Sequence, residues 1–485
     1  MKTYSRIDQF KLKDRFIQSI MPEFIKNIPQ KVKNWCNAVP MEICLLLLMM
    51  TTITATSIQQ ATLLLSDAIL ADSNRALQRF AKKYIPEIPH PNRVRHTLKL
   101  WTPHQINTKY RDINFKLIRQ MKKGKLFKQT HGKKKGIAVA FDLTEKGYYG
   151  SKNQFTSFTK GRSPAKLCHS YLTIQMVCPG MRFILDQEPV YTDGKSLDVL
   201  MAKLLKRVKA KTGLKIATIY LDRGFYQTDI LKYLRYRFSG NVLMPVIRTS
   251  RVKTAIKEWH EQHGYTAGEM ELVIGSKKKA QQYILIFAPL SEEYRAKWRK
   301  KKKANPEEIH NDFLYFCLLK SPDQLLKDEY SYQEIFTILS EEYRRRWGIE
   351  TGYRVYKDIW GKTSSQSYSL RYWLMWNAVM VYNLWILENL ELIENGDKLI
   401  DNYSCCETPS LEEIEEGKKL RKSRKYPGWS RVTDEFPARK WTPIPIEPLR
   451  ELCDSFKKII VAMMKDWILT GCDPPSERKE KSTSS

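Results

Sequence analysis

From residue 136 onward one pattern recurs: a short apolar run, rich in β-branched residues, that stops at a charge or a turn. Residues 136–142 (GIAVAFD) are the first run, and 169–178 (HSYLTIQMVC) and 181–191 (MRFILDQEPVY) follow. Pro179-Gly180 lies between the last two and predicts a hairpin. Residues 197–211 then change to helical spacing through Leu197, Leu200, Met201, Leu204, Leu205 and Val208. Residues 215–221 (KIATIYL) form another strand-like run ending at Asp222, 228–236 read as a helix, and 241–247 (NVLMPVI) as a strand. Three strands, helix, strand, helix, strand is the order of a mixed α/β sheet flanked by helices, with acids at strand ends.

The flanking regions differ. Residues 1–120 are helix-leaning and basic and are expected to form an α-helical N-terminal DNA-binding region. Within it, 74–84 places Leu77, Phe80 and Tyr84 on one face and basic residues elsewhere, as in a helix-turn-helix or any amphipathic helix pair. Residues 43–66 carry no charge, but Thr51, Thr52, Thr54, Thr56, Gln59 and Gln60 fill the second half, so they read as buried core rather than a membrane span, which needs about 20 mainly apolar residues. Residues 136–247 are expected to be the first part of a catalytic core, and 248–332 a β-rich insertion with strand-like runs at 281–288 and 312–319. Residues 333–390 would be the second part of the core, and 391–485 a C-terminal helical region, a candidate for dimerisation.

The formal net charge is +31, which makes a polyanion the expected partner, with DNA ahead of an anionic membrane surface. No basic helix with a broad apolar face supports the membrane alternative. The nine cysteines are odd in number and include no CxxC pair, which argues against a disulfide framework or a zinc site and for a reducing, cytoplasmic compartment. The N-terminus, MKTYSRIDQF, has no apolar core of a secretory signal.

Three acids stand where chemistry would use them. Asp142 and Asp222 end apolar runs, and Glu350 lies within the helical stretch EEYRRRWGIETGYRVYK. Clustered carboxylates repel unless a cation neutralises them, and hard oxygen ligands with open water positions suit Mg²⁺ or Mn²⁺. Alone, each has another reading: an Asp after a strand starts a turn or caps a helix, and Glu350 bridges Arg346 and Arg354 at four-residue spacing. The helix arithmetic favours the joint reading. With Tyr343 at zero and about 100° per residue, Arg346, Glu350 and Lys357 all fall within a stripe about 60° wide. Residues 343–357 hold Arg344, Arg345, Arg346, Arg354 and Lys357 against the single acid Glu350. Cations that position phosphates beside a metal carboxylate are what cutting a polyanion requires.

The spacing Tyr343-x2-Arg346-x3-Glu350-x6-Lys357 resembles the Y-R-E-K motif of insertion-sequence transposases in the insertion-sequence-four group. Asp222-Arg-Gly-Phe225 is similar to that group's second block and Asp142-Leu-Thr144 to its first. The resemblance covers roughly residues 136–380. It implies a ribonuclease-H-like catalytic core interrupted by a β-rich insertion, a DDE triad of Asp142, Asp222 and Glu350 holding two Mg²⁺ ions (Mn²⁺ substituting), and cut-and-paste transposition. In that chemistry activated water cuts the transposon ends, a hairpin intermediate often releases the second strand, and the 3′ hydroxyl joins target DNA. Tyr343, Arg346 and Lys357 would hold terminal phosphates, with Arg344, Arg345 and Arg354 nearby. Trp298 or Trp259 would stack on a flipped base, unless either is simply a packed Trp. A homodimer in a paired-end complex on the nucleoid is also implied. The alternatives are a ribonuclease-H-like nuclease without strand transfer and a non-catalytic DNA-binding derivative.

Overall fold

The computed structural model describes residues 16, 18–26, 28–33, 41–53, 56–70, 90–123, 136–159, 165–177, 183–191, 194–275, 280–296, 308–322 and 324–396. In chain order these form α1 (Met21–Ile25), α2 (Gln30–Lys33), α3 (Met41–Ile53), α4 (Ile58–Leu70), α5 (Pro91–Lys99), α6 (Pro103–Lys123), β1 (Ile137–Tyr148), β2 (Ser157–Phe158), β3 (Leu167–Met176), β4 (Ile184–Val190), α7 (Leu197–Thr212), β5 (Ile216–Tyr220), α8 (Thr228–Arg237), β6 (Asn241–Pro245), α9 (Ser250–His263), β7 (Gly268–Ile274), β8 (Gln281–Pro289), β9 (Phe313–Leu318), α10 (Gln324–Glu329), α11 (Tyr332–Asp358) and α12 (Tyr368–Gly396). Two compact units result. One takes the described residues up to 123 and those from 352 onward; the other takes 136–351.

The first unit is helical. Its centre is α3, whose residues from Cys44 to Met50 are all fully buried. A helix apolar on every side has to be surrounded, and α12 supplies one wall. Trp373 of α12 packs against Phe24 (ring centroids 4.8 Å), Tyr110 (5.5 Å) and Trp101 (5.6 Å). Two amide-bearing partners serve buried groups there: Asn377 Nδ2 donates to Thr52 Oγ1 (2.6 Å) and Leu48 O (3.0 Å), and Trp376 Nε1 donates to Asn107 Oδ1 (3.0 Å). The sequence grouping of 333–390 as one segment of the catalytic core therefore differs from the packing, because the Trp-rich face of α12 finds its aromatic partners among the N-terminal helices. Among the described residues no helix is long and apolar enough to cross a membrane. The 74–84 helix pair and the region beyond 396 lie outside the described residues.

The second unit is a mixed sheet flanked by helices. Its strand order is β2-β3-β1-β5-β6-β9-β8-β7, with β4 also on β3. β1, β3 and β4 are antiparallel, whereas β1–β5 and β5–β6 are parallel, joined through α7 and α8. Helix α7 buries Leu200, Met201, Leu204, Leu205 and Val208, and ends where Gly213 adopts φ 64°, a left-handed turn that reverses the chain into β5. Gly136 permits the close start of β1: a Cβ there would lie 2.3 Å from the Lys215 carbonyl oxygen. The β4–α7 contact is ionic. Asp186, fully buried, and Glu188 both bind Arg207 at 2.6 Å.

The strands of the 248–332 insertion join the main sheet. There β9 lies antiparallel to β6, β8 to β9 and β7 to β8. Before them comes the 14-residue helix α9, capped by Thr249 Oγ1.

Candidate active site

The parallel pairing of β1 with β5 sets the first two acids. Its last pair is Ala140↔Tyr220. Asp142 and Asp222 each lie two residues beyond, hence on the side of the sheet that this pair occupies, on chains spaced by about 5 Å in a sheet. They are 80 residues apart in sequence, and each stands just past the last pair of the parallel ladder.

Each is held in its own way. β1 does not stop at Asp142, as the apolar run suggests; it continues to Tyr148, paired with β3 from Asp142↔Thr173 to Tyr148↔Leu167. The polar residues after Asp142 remain strand because β3 gives them a ladder, not because they are apolar. Asp142 Oδ1 accepts the Leu143 N–H at 2.8 Å. Asp222 opens a one-turn 3₁₀ helix, Arg223–Phe225, and its Oδ1 caps Arg223 N–H at 2.7 Å. Its side chain is half-exposed.

Helix α11 brings the third part. The Tyr343 hydroxyl donates to the carbonyl oxygen of Leu221, next to Asp222, at 3.0 Å. Its ring lies against Phe316 of β9 (5.1 Å) and under the Arg346 guanidinium (5.2 Å). Arg346, 5% exposed, points Nη2 at Asp222 Oδ1 from 3.9 Å. α11 is continuous to Asp358, so Glu350 is one turn past Arg346 on the same face, about 6 Å along the axis. The side chains of Glu350, Arg345, Arg354 and Lys357 lie outside the described residues, as does Trp298 altogether.

Two other expectations receive local explanations. Arg344 pairs with Glu341 at 2.6 Å along the helix. Trp259 is a packed residue: its ring faces Phe287 (5.1 Å), its Nε1 donates to Thr266 Oγ1 (3.1 Å), and it covers Gly268, where a Cβ would sit 2.5 Å away.

Sequence reading missed the residues behind Asp222. Phe225 and Tyr226 are buried, and Tyr226 meets Tyr283 of β8 edge-on at 5.7 Å. Tyr226 has a signal, its place directly after the Asp222–Phe225 block. Tyr283 has none, since it depends on β8 joining the sheet through β9.

Two half-buried carboxylates, Asp142 within β1 and Asp222 just past β5, are hard-oxygen donors of the kind that a divalent ion such as Mg²⁺ takes. Arg346 adds a cation 3.9 Å from Asp222. With such an ion bound, the site would polarise and hold a phosphodiester.

The family described as "Transposase DDE domain" matches residues 130–384, more than half of the chain and the stretch that contains all three acids. Among solved structures, a piggyBac transposase synaptic complex with hairpin DNA, determined by cryo-electron microscopy, is similar at 12% identity and a TM-score of 0.45, over 94% of this chain and 86% of that one. No match is found among curated protein sequences. The chain belongs to the transposases that carry the DDE domain.

Proposed function

We propose that the chain is a cut-and-paste DNA transposase of the insertion-sequence-four group, with Asp142, Asp222 and Glu350 as its metal-binding triad. The observation that supports this is the β1–β5 register, whose last pair, Ala140↔Tyr220, stands two residues before each aspartate. Two Mg²⁺ ions, when bound, supply an activated water and stabilise the leaving 3′ oxygen. The residues do the rest. Asp142 presents its oxygens from within β1, and Asp222 from the turn that follows β5. Arg346 offers its guanidinium to a phosphate of the transposon end, and Lys357, three turns along the same helix, would reach further down the duplex, with Arg344, Arg345 and Arg354 adding positive charge. Tyr343 has a different assignment from phosphate contact. Its proton is already donated to Leu221, so it fixes the peptide before Asp222. After cleavage through a hairpin, the 3′ hydroxyl joins target DNA, and a homodimer pairs the two ends.

The test uses purified full-length protein, the DNA bordering its coding region, and Mg²⁺. Asp142→Asn and Asp222→Asn should each lower end cleavage by at least about 10³-fold, the scale of a lost catalytic group, while end binding is kept. Cleavage at the wild-type rate by either variant refutes the triad. Cut ends that never join a target plasmid would identify a nuclease instead.

A further inference from the structure

Within the 248–332 insertion an arginine is held flat against a tyrosine. The Arg295 guanidinium lies over the Tyr265 ring, 3.7 Å from its centre. Tyr265 is itself fixed on its ring and at its tip. The ring stacks on the fully buried Phe313 at 5.8 Å, and the hydroxyl donates to Asp312 Oδ2 at 2.9 Å. Asp312 is 1% exposed, ends the 3₁₀ turn Ile309–Asp312, and accepts Leu290 N–H on its backbone oxygen at 2.8 Å. His260 of α9 meets the same ring edge-on at 4.5 Å. Tyr265 is therefore a rigid platform, and 37% of it remains exposed.

The cation on this platform lacks the partner an arginine usually takes. Among the described residues none pairs with Arg295 through a carboxylate, although Glu292 and Glu293 stand just before it. Its Nε is buried with no hydrogen-bond partner. A charged donor in that state is unfavourable until an acceptor completes it. A guanidinium fixed on a ring holds its remaining N–H groups in one plane, the geometry in which arginine takes a phosphate. The surroundings carry the same sign. Arg248 lies over Tyr315 at 5.5 Å and donates to Asn311 Oδ1, one residue before Asp312. In sequence, residues 291–303 hold seven cations against Glu292 and Glu293.

We propose that Arg295, presented by Tyr265, binds a backbone phosphate of duplex DNA. The contact gives the insertion a DNA-binding position of its own, apart from the cations of α11. It rests on the DNA-transposase reading above.

The test measures binding of the full-length protein to a transposon-end duplex and to an unrelated duplex across a range of salt. Losing one phosphate contact lowers the slope of log affinity against log salt by about 0.9, which amounts to about eightfold in affinity at 0.1 M salt. Arg295→Gln should show both changes. Arg295→Lys keeps the charge without the planar fork, so it should keep the slope and recover only part of the affinity. In a Tyr265→Leu background the stack is gone, and Arg295→Gln should then cost less than about threefold. A reduced slope on either duplex supports the contact and identifies the DNA that lies there. A wild-type slope for Arg295→Gln on both duplexes overturns it, even if affinity falls, because the loss then comes from the fold. An equal loss in both backgrounds overturns the part given to Tyr265. The two levels separate cleanly. If the wild-type protein neither binds nor cuts the end duplex, the transposase reading falls and this inference with it. If it binds and cuts while Arg295→Gln matches it, only the phosphate contact falls.

Discussion

Tyr343→Phe is the substitution that separates a hydroxyl serving the protein from one serving the DNA. The ring is kept, and with it the contacts to Phe316 and Arg346, so only the 3.0 Å bond to Leu221 O is lost. Leu221 is fully buried and Tyr343 is 7% exposed, so water does not replace the donor. A buried acceptor left without its donor costs about 1–3 kcal/mol. That carbonyl belongs to the peptide plane that also contains the Asp222 nitrogen, so the loss falls on the backbone that aims the carboxylate. Expressed wholly in the transition state, about 1–3 kcal/mol is about a 5- to 150-fold fall in rate. The assay is single-turnover cleavage of preformed end complexes at saturating Mg²⁺, with urea unfolding and end affinity measured alongside. The expected outcome is slower cleavage within that range, a urea midpoint lowered by no more than the same free energy, and unchanged affinity. If affinity falls tenfold while cleavage per bound complex is unaltered, the hydroxyl works on DNA and the positioning argument is wrong.

Two further outcomes follow from other ionic contacts. Arg207→Met leaves buried Asp186 and Glu188 without their shared cation, so urea unfolding should show a loss of about 3–5 kcal/mol, and a loss below about 1 kcal/mol would mean that the pair contributes little. Arg346→Gln should weaken end binding and reduce the slope of log affinity against log salt by about one, while an unchanged slope removes Arg346 from any phosphate contact.

The core was legible in the sequence because its signals are local. Apolar runs of strand length, a hairpin turn and helical spacing between residues 197 and 211 each report an element by themselves, and the order of elements follows. Two kinds of feature were not legible. The extent of β1 past Asp142 depends on β3, which pairs with residues too polar to announce a strand. The union of the insertion with the main sheet depends on β9 lying antiparallel to β6, a contact between residues about 70 positions apart that no periodicity encodes. The same non-local pairing brings Tyr283 to Tyr226, which is why the site's supporting residues were hidden while its carboxylates were not.

The two aspartates also differ in what keeps them still, and the difference accounts for the aromatic residues around only one of them. Asp142 sits inside a strand that is hydrogen-bonded to β3 both before and after it, so the ladder alone fixes its backbone. Asp222 sits where β5 has ended and the chain turns. Beyond Leu221, whose N–H still reaches Leu243 O, no ladder holds it. A carboxylate at such a point needs other restraints if its position is to hold to a fraction of an ångström. The fold supplies them on both sides: Tyr343 from α11 on the peptide before it, and the Tyr226–Tyr283 pair on the turn after it. Those restraints come from the two elements that flank the long gap between the second and third acids, the insertion and the helix of Glu350. Part of the chain between Asp222 and Glu350 thus packs against the turn that carries Asp222, where Tyr283 on β8 meets Tyr226 edge-on.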